Sequence, residues 1–243
     1  TDGPGNVLIG RDAGKAMTIG DYNVAIGFAA ADAMTGASNL NVAIGKNALG
    51  AEASAADYCV AIGGDALSSQ NHASANNIAI GTNAGLNVTD GTSNVLIGFE
   101  AGSTIADDNH NTAVGYNALK AATAGSSNTA IGSLAMGLGA TTGGSNTCVG
   151  VSAGYDLTGG DSNVIVGSSA GGNATTAKQN VIIGFDACGL GVLANASSTQ
   201  GMYNVVVGPQ AGYDLTTGQS NILLGKDAGA NFTDNYQNVA IGS

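Results

Sequence analysis

The sequence predicts an all-β protein, a parallel β-solenoid of about fourteen coils with 17 or 18 residues in each. Two observations carry this. A five-residue unit, Asn-x-x-Ile-Gly or a close variant, recurs fourteen times, and its glycines fall at positions 10, 27, 45, 63, 81, 98, 115, 132, 150, 167, 184, 208, 225 and 242. Composition points the same way: 40 Gly, no Trp, 5% aromatic and 9% charged residues do not describe a thick globular core. Small and β-branched residues suit thin stacked sheets, and a period of this length marks a repeat architecture in which each unit buries its apolar face on its neighbours.

Each position of the unit has a physical reason to recur. The first copies read Asn6-Val7-Leu8-Ile9-Gly10, Asn23-Val24-Ala25-Ile26-Gly27 and Asn41-Val42-Ala43-Ile44-Gly45. The three residues between Asn and Gly are short, apolar and often β-branched, so they predict a strand. The Gly ends that strand, where the chain needs φ > 0 or a close approach to the next coil. Two residues on, Asn or Asp is frequent (Asp12, Asn47, Asp65, Asn83, Asn117, Asp186 and Asp227), as a turn requires. Three residues after Gly stands Ala in all thirteen copies long enough to show it, from Ala13 to Ala228, so that site is tight. The lead position is Asn in thirteen copies and Cys59 in the other. Stacking places these amides in one column, able to form a ladder at about 4.8 Å spacing.

The rest of each coil varies. Met17, Met34, Val88, Ile105, Leu157, Leu215 and Phe232, seven residues after Gly, are read as a weaker second strand or an inward anchor. The interval from Gly184 to Gly208 is 24 residues, so residues 190–200 are expected to bulge outward as a loop insertion in a single repeat domain spanning 1–243. Fourteen coils at about 4.8 Å each would give a rod of roughly 67 Å. The chain begins and ends inside the pattern, and solenoid ends need caps; the expectation is a segment of a longer fibre.

The strand does not alternate apolar with polar. Positions two and four are Val24 and Ile26, or Thr112 and Val114; position three is Ala25, Leu96, Cys148, Ile165, Ile182, Val206 or Leu223. Both faces therefore call for burial, while a coil of this size has one interior. Identical chains are the simplest partner, and cyclic association would cover the outer face at every level. The sequence leaves open which face meets the partner.

The runs at 23–27 and 41–45 with their following Ala, and Asn111-Thr112-Ala113-Val114-Gly115-Tyr116-Asn117-Ala118-Leu119, resemble the head repeats of trimeric autotransporter adhesins and, equally, the repeats of phage tail fibres. The resemblance runs along the whole chain. It implies a left-handed parallel β-roll assembled as a homotrimer. It also implies an extracellular appendage, on a bacterial cell surface or a virion, that presents loops to a host protein or glycan or serves as a purely structural shaft. Adhesin heads use shorter repeats, near fourteen residues.

Function classes narrow further on charge and motifs. Seventeen Asp and Glu against six Lys and Arg give a net charge of −11, which opposes nucleic acid and anionic lipid. No apolar run is long enough to span a membrane, and residues 1–6 show no signal-peptide pattern. No nucleophile–base pattern is found, so the expectation is a protein without catalytic residues, cofactor or metal; a polysaccharide-processing solenoid enzyme is the remote alternative. His72 and His110 lie in polar loops, and Asp107-Asp108-Asn109-His110 is the densest candidate for a cation but lacks calcium-loop spacing. The glycines follow the solenoid period, not a phosphate loop. Thr112, Thr129 and Thr147 form a short threonine column, read as a ladder substitution for Val and not as an ice-binding face. Asn87, Asn173, Asn195 and Asn231 begin Asn-x-Thr/Ser triplets in predicted outer loops. Tyr155, Tyr213, Phe28, Phe99, Tyr116 and Phe185 are read as packing at coil corners, with sugar stacking as the functional alternative. Cys59, Cys148 and Cys188 are an odd set on coils at least two apart, too far for a bridge; Cys148 would meet its symmetry copies only if position three lines the axis.

Overall fold

A computed structural model describes residues 3–35, 37–50, 57–72, 75–191, 193 and 201–242. The chain forms two compact units, residues 1–124 and 125–243. The first holds β1 (Val7–Ile9), β2 (Val24–Ile26), β3 (Val42–Ile44), β4 (Val60–Ile62), β5 (Ile78–Ile80), β6 (Val95–Ile97) and β7 (Thr112–Val114). The second holds β8 (Thr129–Ile131), β9 (Thr147–Val149), β10 (Val164–Val166), β11 (Val181–Ile183), β12 (Val205–Val207), β13 (Ile222–Leu224) and β14 (Val239–Ile241). Each strand is the predicted triplet between Asn and Gly. Within each unit every strand pairs in parallel with the next, in the register of the repeat: Val24 with Val42, Ala25 with Ala43, Ile26 with Ile44. This is a parallel β-solenoid, and no helix occurs among the described residues. Coils are numbered below by their strands.

The lead asparagines form the expected ladder, with more bonds than a simple amide column. The Oδ1 of Asn146 accepts both the backbone N–H of Asn163 (3.0 Å) and its side-chain Nδ2 (2.9 Å). The Nδ2 of Asn163 also donates to the Ala177 carbonyl at 2.7 Å, tying the strand to the loop fourteen residues on. The same pattern repeats at Asn180, Asn204 and Asn221. These asparagines are buried, so the ladder satisfies groups that would otherwise be costly to desolvate. Cys59 lacks the oxygen. There, Gln70 Oε1 accepts from Asn77 Nδ2 at 2.6 Å, and Gln70 Nε2 donates to the Thr89 carbonyl at 2.9 Å.

The motif glycines are required on two counts. Gly27 has φ 137°, and a Cβ built there would lie 2.6 Å from the Gly45 carbonyl oxygen of the next coil. The turn that follows places the residue two after Gly at positive φ in every coil, whether Asp12 (61°), Ala29 (52°), Leu134 (59°) or Gln210 (56°). Asn and Asp accept that geometry most readily, which explains their frequency there. The Ala three after Gly is buried in all but the first coil.

The core sits inside each coil. Position three of the strand points inward and is fully buried at Ala25, Leu96, Cys148, Ile165, Ile182, Val206 and Leu223. A second strand seven residues after Gly does not form in the described residues; the bridges outside the named strands, Lys178–Met202 and Gln219–Tyr236, lie elsewhere. That position is an inward anchor: Met34, Val88, Ile105, Leu157 and Leu215 are completely buried. The reason is local. Thr, Gly, Ser and Asp surround it and keep the backbone in turns.

The anchor has a partner that the sequence reading did not find. The residue four after Gly is also at positive φ in every coil. Where it is Gly14, Gly85, Gly102, Gly154, Gly212 or Gly229, the seventh residue is large: Met17, Val88, Ile105, Leu157, Leu215, Phe232; the exception is Gly171, whose seventh residue is Ala174 and whose Cβ site is filled by Ile165 at 3.2 Å. Where it is Leu67, Leu119 or Met136, itself buried, the seventh is Gln70, Ala122 or Gly139. Two positions share one volume, as close packing demands.

The 24-residue interval leaves the ladder intact: Val181 pairs with Val205, and Asn204 N–H donates to Asn180 Oδ1 at 2.9 Å. Most of the insertion expected to bulge at 190–200 (192 and 194–200) lies outside the described residues.

Candidate functional site

Positions two and four of each strand point outward to solvent and position three points inward. In the first unit Val7 is 44% exposed, Ile9 57% and Ile80 37%; in the second, Val164 and Ile131 are 39% and Ile222 40% exposed. The other Val, Ile and Thr residues of these columns are likewise only partly covered. Soluble monomers rarely expose contiguous apolar patches above roughly 300–600 Å². Here every coil contributes two such side chains. Cys148 lies on the opposite, interior face and is fully buried, so the condition for it to meet symmetry copies is not satisfied.

Two flanking columns widen this face. On one side is the residue before the lead Asn, at positive φ in every coil, including Tyr22, Leu40, Tyr58 and Tyr203. On the other is the residue after Gly: Arg11, Phe28, Lys46, Phe99, Tyr116, Val151, Phe185 and Lys226 among others. None of the seventeen Asp and Glu residues occupies any of these four outward columns. For an acidic chain, such a carboxylate-free face removes the main like-charge barrier to self-association.

The aromatics are arranged by packing between coils. Phe99 and Tyr116 stack with centroids 5.5 Å apart and an interplanar angle of 11°. Each thus covers one face of the other. Arg11 lies over Phe28 at 4.5 Å from the ring centroid. Tyr213 packs beside Gly189, where a Cβ would be 3.1 Å from the ring, and Tyr155 is half-buried.

The remaining candidates separate in space. Asp107 Oδ1 accepts from Thr89 Oγ1 at 2.7 Å, Asn109 Oδ1 accepts from Thr92 N–H and Oγ1 at 2.7 and 2.8 Å, and His110 is exposed beside the strand face. Among the described residues no three His, Cys, Asp or Glu come together as a metal site. His72 is half-buried in its loop. A depression of about 300 Å³ is lined by Asp32, Asn47, Gly50, Asp65 and Ser68, where Asn47 Nδ2 already donates to Asp65 Oδ1 at 2.9 Å. Thr112, Thr129 and Thr147 lie on the outward face, each partly covered. Asn87 and Asn231 are exposed, Asn173 donates to the Gly189 carbonyl at 2.9 Å, and Asn195 lies outside the described residues. The three cysteines are buried thiols; burial pushes Cys148 and Cys188 up to about 12. Burial opposes ionisation of Asp161, but hydrogen bonds from Lys178 and the Gly144 amide, with the Lys178 charge, hold its carboxyl below the usual value. No helix among the described residues is long and apolar enough to cross a membrane.

No protein-family model matches the chain, and no curated protein or solved structure matches it either.

Proposed function

We propose that the chain is a non-catalytic, homotrimeric fibre segment, a surface appendage of the adhesin or tail-fibre kind. Its work is to hold an extended scaffold and present loops to a host or cell surface. The observation that carries the reading is the outward strand face, apolar in every coil, partly exposed, and free of carboxylates. A face of this sort suits cyclic association of identical chains, each level meeting the same level of its neighbour. The resemblance of the repeat to adhesin heads and tail fibres supports the trimer and the extracellular setting. The segregation of acids away from the outward strand face supports a display role for the loops.

Multi-angle light scattering on the full chain tests assembly. The expected mass is that of three chains, and a stable folded monomer would sink the reading. Attachment is tested with panels of glycans and host cells. The full chain is expected to bind, a variant lacking residues 192–200 to bind less; unchanged binding would remove that insertion as the attachment loop.

A further inference from the structure

The two flanks of the outward face are unlike one another in the first four coils. Before the lead residue of coils 2, 3 and 4 stand Tyr22, Leu40 and Tyr58, with φ of 57°, 59° and 61° and exposures of 59%, 49% and 56%. Apart from the single Tyr203 of coil 12, the other coils place small or polar residues here, such as Gly5, Asn76, Ser93, Ser127, Ser145, Ser162 and Ser220, fitted to an exposed left-handed turn. A large apolar side chain gains nothing from such a site by itself. It is held in an unfavourable backbone region and still faces water. Three such residues on successive coils need a covering surface to account for them.

The opposite flank carries Arg11, Phe28 and Lys46 on coils 1, 2 and 3, all exposed, with the Arg11 guanidinium seated on the Phe28 ring. One edge is therefore aromatic and aliphatic, the other cationic and aromatic. In a ring of identical chains the left edge of each copy meets the right edge of the next at the same level. Tyr22 would then face Phe28 and Leu40 the stem of Lys46, with Arg11 and Lys46 one coil below Tyr22 and Tyr58, a set suited to apolar and cation–π contact. An isologous pairing would instead lay like edge on like.

We infer that Tyr22, Leu40 and Tyr58 of one copy dock against the Arg11–Phe28–Lys46 edge of a second copy, and that this contact fixes the sense and level of the assembly. The inference rests on the self-association proposed above and adds to it the edges that meet. The Val and Ile columns alone are nearly uniform from coil to coil and so specify level weakly, whereas this patch occurs in one place.

The test is cross-linking of the full-length chain carrying Leu40→Cys and Lys46→Cys, two residues on the same coil at opposite edges. The native cysteines are buried and stay silent. A short bismaleimide is expected to join the double variant into covalent species up to the whole assembly, while each single variant stays uncross-linked. Dimers from Leu40→Cys alone, or no product from a double variant that scattering shows to be assembled, would overturn the inference and leave the association standing. A wild-type chain that scatters as a monomer would remove both. Should the double variant not refold, Tyr22→Asn with Tyr58→Asn decides: these substitutions suit the positive φ, so the coil is retained. At least a tenfold rise in the concentration for half-dissociation supports the contact, and an unchanged value refutes it.

Discussion

Removing one amide from the ladder leaves two buried backbone groups without partners. In an Asn163→Ala chain the Asn180 backbone N–H loses its acceptor and the Ala177 carbonyl loses its donor, while Asn180 Nδ2 keeps the Lys178 and Gly201 carbonyls. Buried groups left unpaired cost about 1–3 kcal/mol each, with partial relief from water and relaxation, so we expect a loss of about 3 kcal/mol in urea denaturation. Gln70→Leu removes the oxygen that stands in at the Cys59 coil and should cost about 2 kcal/mol by the same argument. The Asn and the motif Gly were legible in the sequence because each needs one residue type and cannot trade with a neighbour. Gln70 was not, since its role appears only once the missing oxygen at Cys59 is seen beside it. The buried thiols give a pH dependence. Cys148 and Cys188 titrate near 12 in the fold against an ordinary 9.0, so the folded state holds their protons longer. Their contribution is whole below about pH 9 and is lost as pH rises toward 12. Melts should therefore weaken above pH 9 in the wild type and less in a Cys148→Ala/Cys188→Ala chain, and a thiol reagent should label all three cysteines only on unfolding.

At the scale of the coil, the fourth and seventh residues after Gly exchange volume. A Cβ at Gly102 would come within 2.6 Å of Leu96 and 2.9 Å of Ile105, so Gly102→Leu overpacks its coil; Ile105→Ala empties it. Each change alone should cost about 2–4 kcal/mol. Together they should cost less than either, because Leu119 already occupies the equivalent site at φ 50° opposite Ala122. Thermal melts of the two single variants and the double decide this, and additive losses would refute it. This pairing was hidden in the sequence because neither position repeats alone, and it shows only when the two are read together. The seventh residue could be read as strand or anchor for the same reason: its apolar character is plain, but whether the backbone there is extended depends on the turns around it. Which strand face looks inward was equally closed to sequence reasoning, because positions two, three and four are all apolar.

For each unit as a whole, stability should follow from nearest neighbours. Excising the seventeen residues 146–162 would bring Asn163 into the place of Asn146 above Asn128, with the strand register and the ladder unchanged. The shortened chain is expected to keep its β circular-dichroism signature with a modestly lower melting temperature; removing nine residues instead should abolish cooperative melting of that unit. The proposed assembly has its own test at this scale. Val164→Glu with Ile183→Glu places carboxylates on the outward face of the second unit, and in a chain of net charge −11 this should dissociate the assembly in light scattering while leaving the coil's interior packing untouched.

The 24-residue interval between Gly184 and Gly208 carries one more implication. Because β11 and β12 stay in register across it, the frame tolerates chain added between one Asn and the next, provided a full coil is still there to be stacked. Frame and loop are thus encoded separately. Chain beyond the minimal coil can lengthen and vary in sequence without the scaffold having to be reinvented each time.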